Sequence, residues 1–163
     1  MNWWERTKRN HGLEHGTISV LLAGAGSKPM AGYSTPAGFL VLGSLTTDEV
    51  RESARQALAR MQAGEAELAV SPFCGTNILV GAALATLATL VGYQLAGRGL
   101  RGVNRAFSNA VFAIVASRPL GRWVQQRFTT SGDVADLQID TISRYDVGQL
   151  TVHWVATSQG HSP

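Results

Sequence analysis

Charge is scarce in this chain. Only 15% of its 163 residues are Asp, Glu, Lys or Arg, where globular domains carry about a quarter. Cysteine is scarcer still: Cys74 stands alone, which excludes an intrachain disulfide and any C-x-x-C metal or redox motif and fits a reducing compartment. A clean apolar run behind the N-terminal charges is also missing. Arg6, Lys8 and Arg9 are followed by His11, Glu14 and His15, so no secretory signal peptide is expected. The net charge is +3, but the basic residues flank apolar segments instead of forming a stripe interleaved with aromatics. Nucleic acid is therefore not an expected partner. Neither a G-x-S-x-G elbow nor a phosphate loop occurs, and Gly24-x-Gly26 lacks dinucleotide-loop spacing.

What the chain has in quantity is small residues, 18 of them glycine. Such a composition suits helices that pack closely in a membrane. Ile78 to Ala96 runs 19 residues without a charge, about 28 Å as a helix against a hydrocarbon core of about 30 Å. Tyr93, Gln94, Arg98, Arg101 and Arg105 border it as interfacial residues do. A second apolar run, Ala106 to Ser117, is shorter; extended to Val124 it crosses as a tilted helix, or else it is re-entrant. The competing reading is a soluble helical hairpin buried in an oligomer. Trp3 and Trp4 beside the basic cluster read as an interfacial anchor, or as two rings capping a soluble core.

The whole reads as an α+β protein in three pieces. Residues 1–77 hold an N-terminal helix and a small α/β unit, 78–127 a membrane-embedded helical hairpin, and 128–163 a C-terminal β-hairpin and tail. The first helix is expected from an Asn10 N-cap to a stop at Ala23-Gly24-Ala25-Gly26. Gly12 and Gly16 each weaken it by roughly 1 kcal/mol, so packing or a metal must help hold it. Phe39 to Gly43 reads as a buried strand after a loop or hairpin. Thr46 and Glu49 form a capping box for a helix whose inner face is Val50, Ala54, Ala57, Leu58 and Met61, with Gly64 as its stop. Glu67 to Val70 reads as a short strand. Asp136 to Ile142 and Leu150 to Val155 alternate around a turn at Asp146-Val147-Gly148.

The chemistry-bearing feature is H-x-x-E-H, His11-Gly12-Leu13-Glu14-His15, which takes two of the four histidines. At i and i+4 on a helix both imidazoles share a face and can share a metal. Glu14, one residue before the second ligand, points to the side, where it can take a proton from water at the metal without ligating it. Metallopeptidases with this inverted order use it that way. The bland reading is an interfacial helix with a polar face. Zinc needs a third protein ligand, and the candidates are Cys74, Glu65, Glu67 and His153. Cys74 has the most favourable local setting, with Gly75 freeing the backbone and Asn77 placed to cap the following helix.

Three patches resemble an uncharacterised family of small bacterial membrane proteins: His11 to Ile18, Ala63 to Asn77 (AGEAELAVSPFCGTN) and Thr129 to Leu137 (TTSGDVADL). A second uncharacterised membrane family has a similar pair, H-G-A-E-H-K and a later C-G-T-S before an apolar helix. The resemblance implies a membrane protein in which His11, Glu14, His15 and Cys74 converge, and it implies no known activity. Where the related pattern often shows His, this chain has Ser71.

The function these readings favour is a membrane-bound zinc hydrolase, most simply a metallopeptidase acting near the bilayer. Zn2+ would sit on His11, His15 and either Cys74 or Glu65, with Glu14 as general base. The alternative is a non-enzymatic membrane adaptor. The expected partners are the lipid bilayer and a protein or peptide substrate, with a homo-oligomer compatible. The expected location is the inner membrane, polar parts cytoplasmic; the arginines on both sides of the apolar runs leave the orientation open.

Overall fold

The structure, a computed structural model, describes residues 1–24, 28–96, 99–148 and 150–160. Ala25 and Gly26 of the expected helix stop, Arg98 and the last residues of the expected tail lie outside them. Among the described residues the chain is α+β, with four α-helices and one four-stranded antiparallel sheet. It divides into two compact units, Met1–Ser71 with Gln126–Pro163, and Pro72–Gln125.

In the first unit, α1 spans Trp3–Gly24. It starts seven residues before the expected Asn10 cap, because Asn2 supplies the cap: its side-chain oxygen accepts from the Glu5 N–H at 2.8 Å. Asn10 instead lies inside the helix and is fully buried. β1 (Met30–Thr35) and β2 (Gly38–Gly43) form a hairpin. α2 (Thr47–Gln62) begins with the expected capping box and buries Val50, Ala54, Ala57 and Met61, and Gly64 beyond it takes φ 109°. Glu67 to Val70 is not a strand. Ala66–Ala69 forms a 3-10 turn, its backbone satisfied locally by bonds such as Val70 N–H to Glu67 O at 3.0 Å.

β3 (Leu137–Val147) and β4 (Leu150–Gln159) form the expected C-terminal hairpin, longer than its alternation suggests and irregular between Ile139 and Thr141. The hairpin is not a separate piece. β4 pairs with β2, so the order is β1-β2-β4-β3, and residues expected in two pieces, 1–77 and 128–163, share one sheet. Leu13, Leu21, Phe39, Val41, Val50, Val134, Leu137 and Val155 form its buried core.

Gly12 and Gly16 find their reason here. A Cβ on Gly12 would collide with the Ser131 carbonyl, and one on Gly16 would press on Met61 Sδ and Ala57 Cβ at 3.1 and 3.3 Å. Tertiary packing therefore offsets the helix propensity they lose.

The second unit is a helical hairpin of α3 (Gly75–Ala96) and α4 (Leu100–Val124), followed in the chain by a π-helical turn, Gln125–Thr129. α3 starts three residues earlier than the apolar run, and α4 continues through Pro119. The helices meet where side chains are small: Gly81 faces Ser117, Gly92 faces Asn109, and Gly121 faces Asn77. Asn109 Nδ2 donates to Ala88 O at 3.4 Å and Gln125 Nε2 to Asn77 Oδ1 at 2.8 Å. Gly75–Leu95, 21 residues, is long and apolar enough to cross a membrane. Large apolar side chains on both helices, among them Leu79, Leu87, Leu95, Phe107 and Phe112, are exposed.

Candidate metal centre

His11 and His15 lie one turn apart near the middle of α1, their ring centroids 4.3 Å apart. Each ring is held by a main-chain carbonyl. His11 Nδ1 is 2.8 Å from Thr129 O, and His15 Nδ1 is 2.8 Å from Ala69 O. A carbonyl only accepts, so both Nδ1 atoms carry the proton and donate, which makes Nε2 the nitrogen with a lone pair for a metal. Such outer contacts orient ligating imidazoles in metal sites. His15 is buried and His11 half-buried.

The segments supplying those carbonyls are pinned to α1. Ser131 N–H donates to Lys8 O at 2.9 Å. Arg9 pairs with Asp133 at 2.8 Å and with Asp136, and Gly132 packs closely on Ala66. The patches around His11, Ala66–Ser71 and Thr129–Leu137, far apart in the chain, thus meet around α1.

Cys74, buried, immediately precedes α3, and the Thr76 N–H lies 3.4 Å from its Sγ. Asn77 is therefore not the cap; it lies in the first turn, where its Nδ2 donates to Pro72 O at 2.9 Å. The thiolate is the ligating form of cysteine. One ring nitrogen each of His11 and His15 and the Sγ of Cys74 lie within 4.8 Å of one another, a group that could hold a metal ion. Two imidazoles and a thiolate suit zinc, and three protein ligands leave a fourth position open.

The other candidates lie elsewhere. Glu65 is engaged by Arg60, with contacts of 2.5 to 3.1 Å, which hold its carboxyl below the usual range. Glu67 is exposed on the 3-10 turn. His153 is buried on β4, its Nε2 3.4 Å from Thr47 Oγ1, and burial lowers its pKa. Glu14 is not among the clustered ligands. It is buried and turned towards β1, where Ser34 Oγ donates to it at 2.5 Å and Gly32 leaves room for its carboxyl. Burial pushes its pKa up, opposed by the Ser34 hydrogen bond and by His11.

Sequence reasoning missed Ser34 and the two carbonyls. Main-chain acceptors have no residue signature, and Ser34 sits in a stretch read only as loop or hairpin.

An uncharacterised protein of Picosynechococcus sp. is 33% identical over 134 residues, covering 76% of this chain; the chain spans 65% of that relative's length. No solved structure matches. Residues 6–142, which include all three patches, match the family described as a domain of unknown function, DUF6391, and the chain belongs to that family.

Proposed function

We propose that this protein is a membrane-anchored zinc hydrolase, binding one zinc per chain through His11, His15 and Cys74 and acting on peptide bonds close to the bilayer. The observation that carries the reading is the pair of imidazoles whose Nδ1 atoms are both committed to carbonyls. Zinc at such a site acts as a Lewis acid and lowers the pKa of water. Within that reading Glu14 accepts a proton, which requires its carboxyl to swing from Ser34 towards the histidines. Its burial favours this role, since a raised pKa brings a carboxylate nearer to neutral operating pH. The length and composition of α3, with the exposed apolar surface of the hairpin, support anchoring in a membrane.

Zinc content and peptide hydrolysis by the detergent-purified protein test this reading. The wild type is expected to carry about one zinc, Glu14→Gln to keep the metal and lose hydrolysis, and His15→Ala to lose both. Protein that neither carries nor accepts zinc would end it.

A second reading has its own support. The Ser34 contact holds Glu14 on β1, as a structural carboxyl would be held. In that case the protein is a non-enzymatic membrane adaptor with a metal-stabilised core. It predicts that Glu14→Gln costs stability while no peptide is cleaved by either form.

A further inference from the structure

The helical hairpin, Pro72–Gln125, contains Arg98, Arg101, Arg105, Arg118 and Arg122 and not one Asp or Glu. The four that are described are all exposed, and among the described residues none of them forms an ion pair. In the other unit Arg9, Arg51, Arg60 and Arg144 each pair with a carboxylate. With no carboxylate of its own, the hairpin takes any counter-charge from outside it.

The placement of these arginines narrows what that counter-charge is. They form two i, i+4 pairs, Arg101–Arg105 and Arg118–Arg122, and each pair shares one helix face. Two neighbouring guanidinium groups present forked donors that match a phosphate. The centres of the pairs lie 17 residues apart along α4, about 26 Å at helical rise, against a hydrocarbon core of about 30 Å. Arginine stems reach outward to make up such a difference. Between the pairs, Ala106 to Ser117 carries no charge. On the stripe that continues from Arg101 and Arg105, Ser108 adds a hydroxyl and Phe112, 75% exposed, lies where an acyl chain would run. Trp123, beside Arg122, is half exposed and of the kind that settles at headgroup level.

We propose that Arg101–Arg105 and Arg118–Arg122 are seats for the phosphates of anionic phospholipids, one in each headgroup layer, so that α4 crosses the bilayer beside α3. This rests on the membrane reading above, but not on the metal.

The test uses the full chain in vesicles of phosphatidylcholine alone or mixed with phosphatidylglycerol, followed by mild detergent extraction and native mass spectrometry of the lipids retained. The wild type is expected to retain phosphatidylglycerol over phosphatidylcholine by on the order of tenfold, as two arginines near an anionic surface allow. The retention should fall as salt rises and survive excess inorganic phosphate, which has no acyl chain to seat. Arg101→Gln with Arg105→Gln, and Arg118→Gln with Arg122→Gln, should each remove about half of it. Their exposure makes these changes compatible with folding. Equal retention of the two lipids, full displacement by free phosphate, or undiminished retention in the fourfold variant would overturn the proposal. A protein that inserts but shows no lipid preference sinks this inference alone, whereas one that stays in solution without detergent sinks the membrane reading itself.

Discussion

The imidazoles of His11 and His15 stand 4.3 Å apart, each with its Nδ1 donating to a carbonyl brought from a distant part of the chain. The tautomer is thus chosen by the fold before any ligand arrives. Removing either ring should lower zinc affinity by more than the roughly 10–100-fold that loss of an outer contact costs. Titration calorimetry on His11→Ala, His15→Ala and Cys74→Ser measures this directly, and unchanged affinity in all three would exclude the site.

Gly12 is a position where a helix-favouring change should harm the protein. Gly12→Ala gains up to about 1 kcal/mol in helix propensity but sets a methyl against the Ser131 carbonyl. Overpacking of this kind costs about 1–3 kcal/mol, so a net loss of stability is expected in thermal or denaturant unfolding. Because Thr129 lies in the segment displaced, zinc affinity should weaken as well.

Asn10 ties α1 to both hairpins at once. Its Nδ2 donates to Thr35 O at 2.8 Å, and its Oδ1 accepts from Thr157 Oγ1 at 2.7 Å. Asn10→Ala takes this partner from the half-buried Thr35 carbonyl and from the buried Thr157 hydroxyl. The expected cost is about 1–3 kcal/mol for each stranded group, and Asn10→Asp should be no milder.

Acid should weaken the start of α2. Glu49 is held down at about 2 by the Thr46 backbone N–H, with Lys28 and the Thr46 hydroxyl adding to it. A folded-state pKa below the usual 4.5 stabilises the native state above 4.5, and that contribution is lost as pH falls from 4.5 towards 2. Glu49→Gln, which can keep the capping box but not the charge, should lower stability near neutrality and flatten the profile in that window. Circular dichroism melts across the acid range give the comparison.

His153 supplies the complementary window near neutrality. Burial lowers its pKa from 6.5, so the unfolded chain binds a proton more readily than the native one does. Stability from this group is full above 6.5 and is lost as pH falls from 6.5 through the lower folded value. His153→Asn should remove that slope, readable in unfolding midpoints taken between neutral and mildly acidic pH.

Local rules carried much of this reading. The α2 capping box, the apolar run of α3 and the terminal hairpin are governed by neighbours in sequence, through caps, turn residues and periodicity, and each is present, although α3 starts earlier and the hairpin strands run longer than those signals put them. Spacing on one helix likewise put His11 and His15 on a common face. What went astray had a tertiary cause. Asn10 looks like a cap in isolation and is a buried tie because two hairpins close over it. Glu67 to Val70 reads as a short strand, but Ala66–Ala69 closes a 3-10 turn whose hydrogen bonds are local.

The chain alone thus specifies its helices, its turns, its scarcity of charge and the one-turn spacing of two imidazoles, because these depend on residues within a few positions of one another. The β2–β4 pairing, the Thr129 and Ala69 carbonyls that select the histidine tautomers, and the turn of Glu14 towards Ser34 come only with folding. The first two depend on main-chain groups identical in every residue, and all three on packing between segments that lie up to about 120 residues apart.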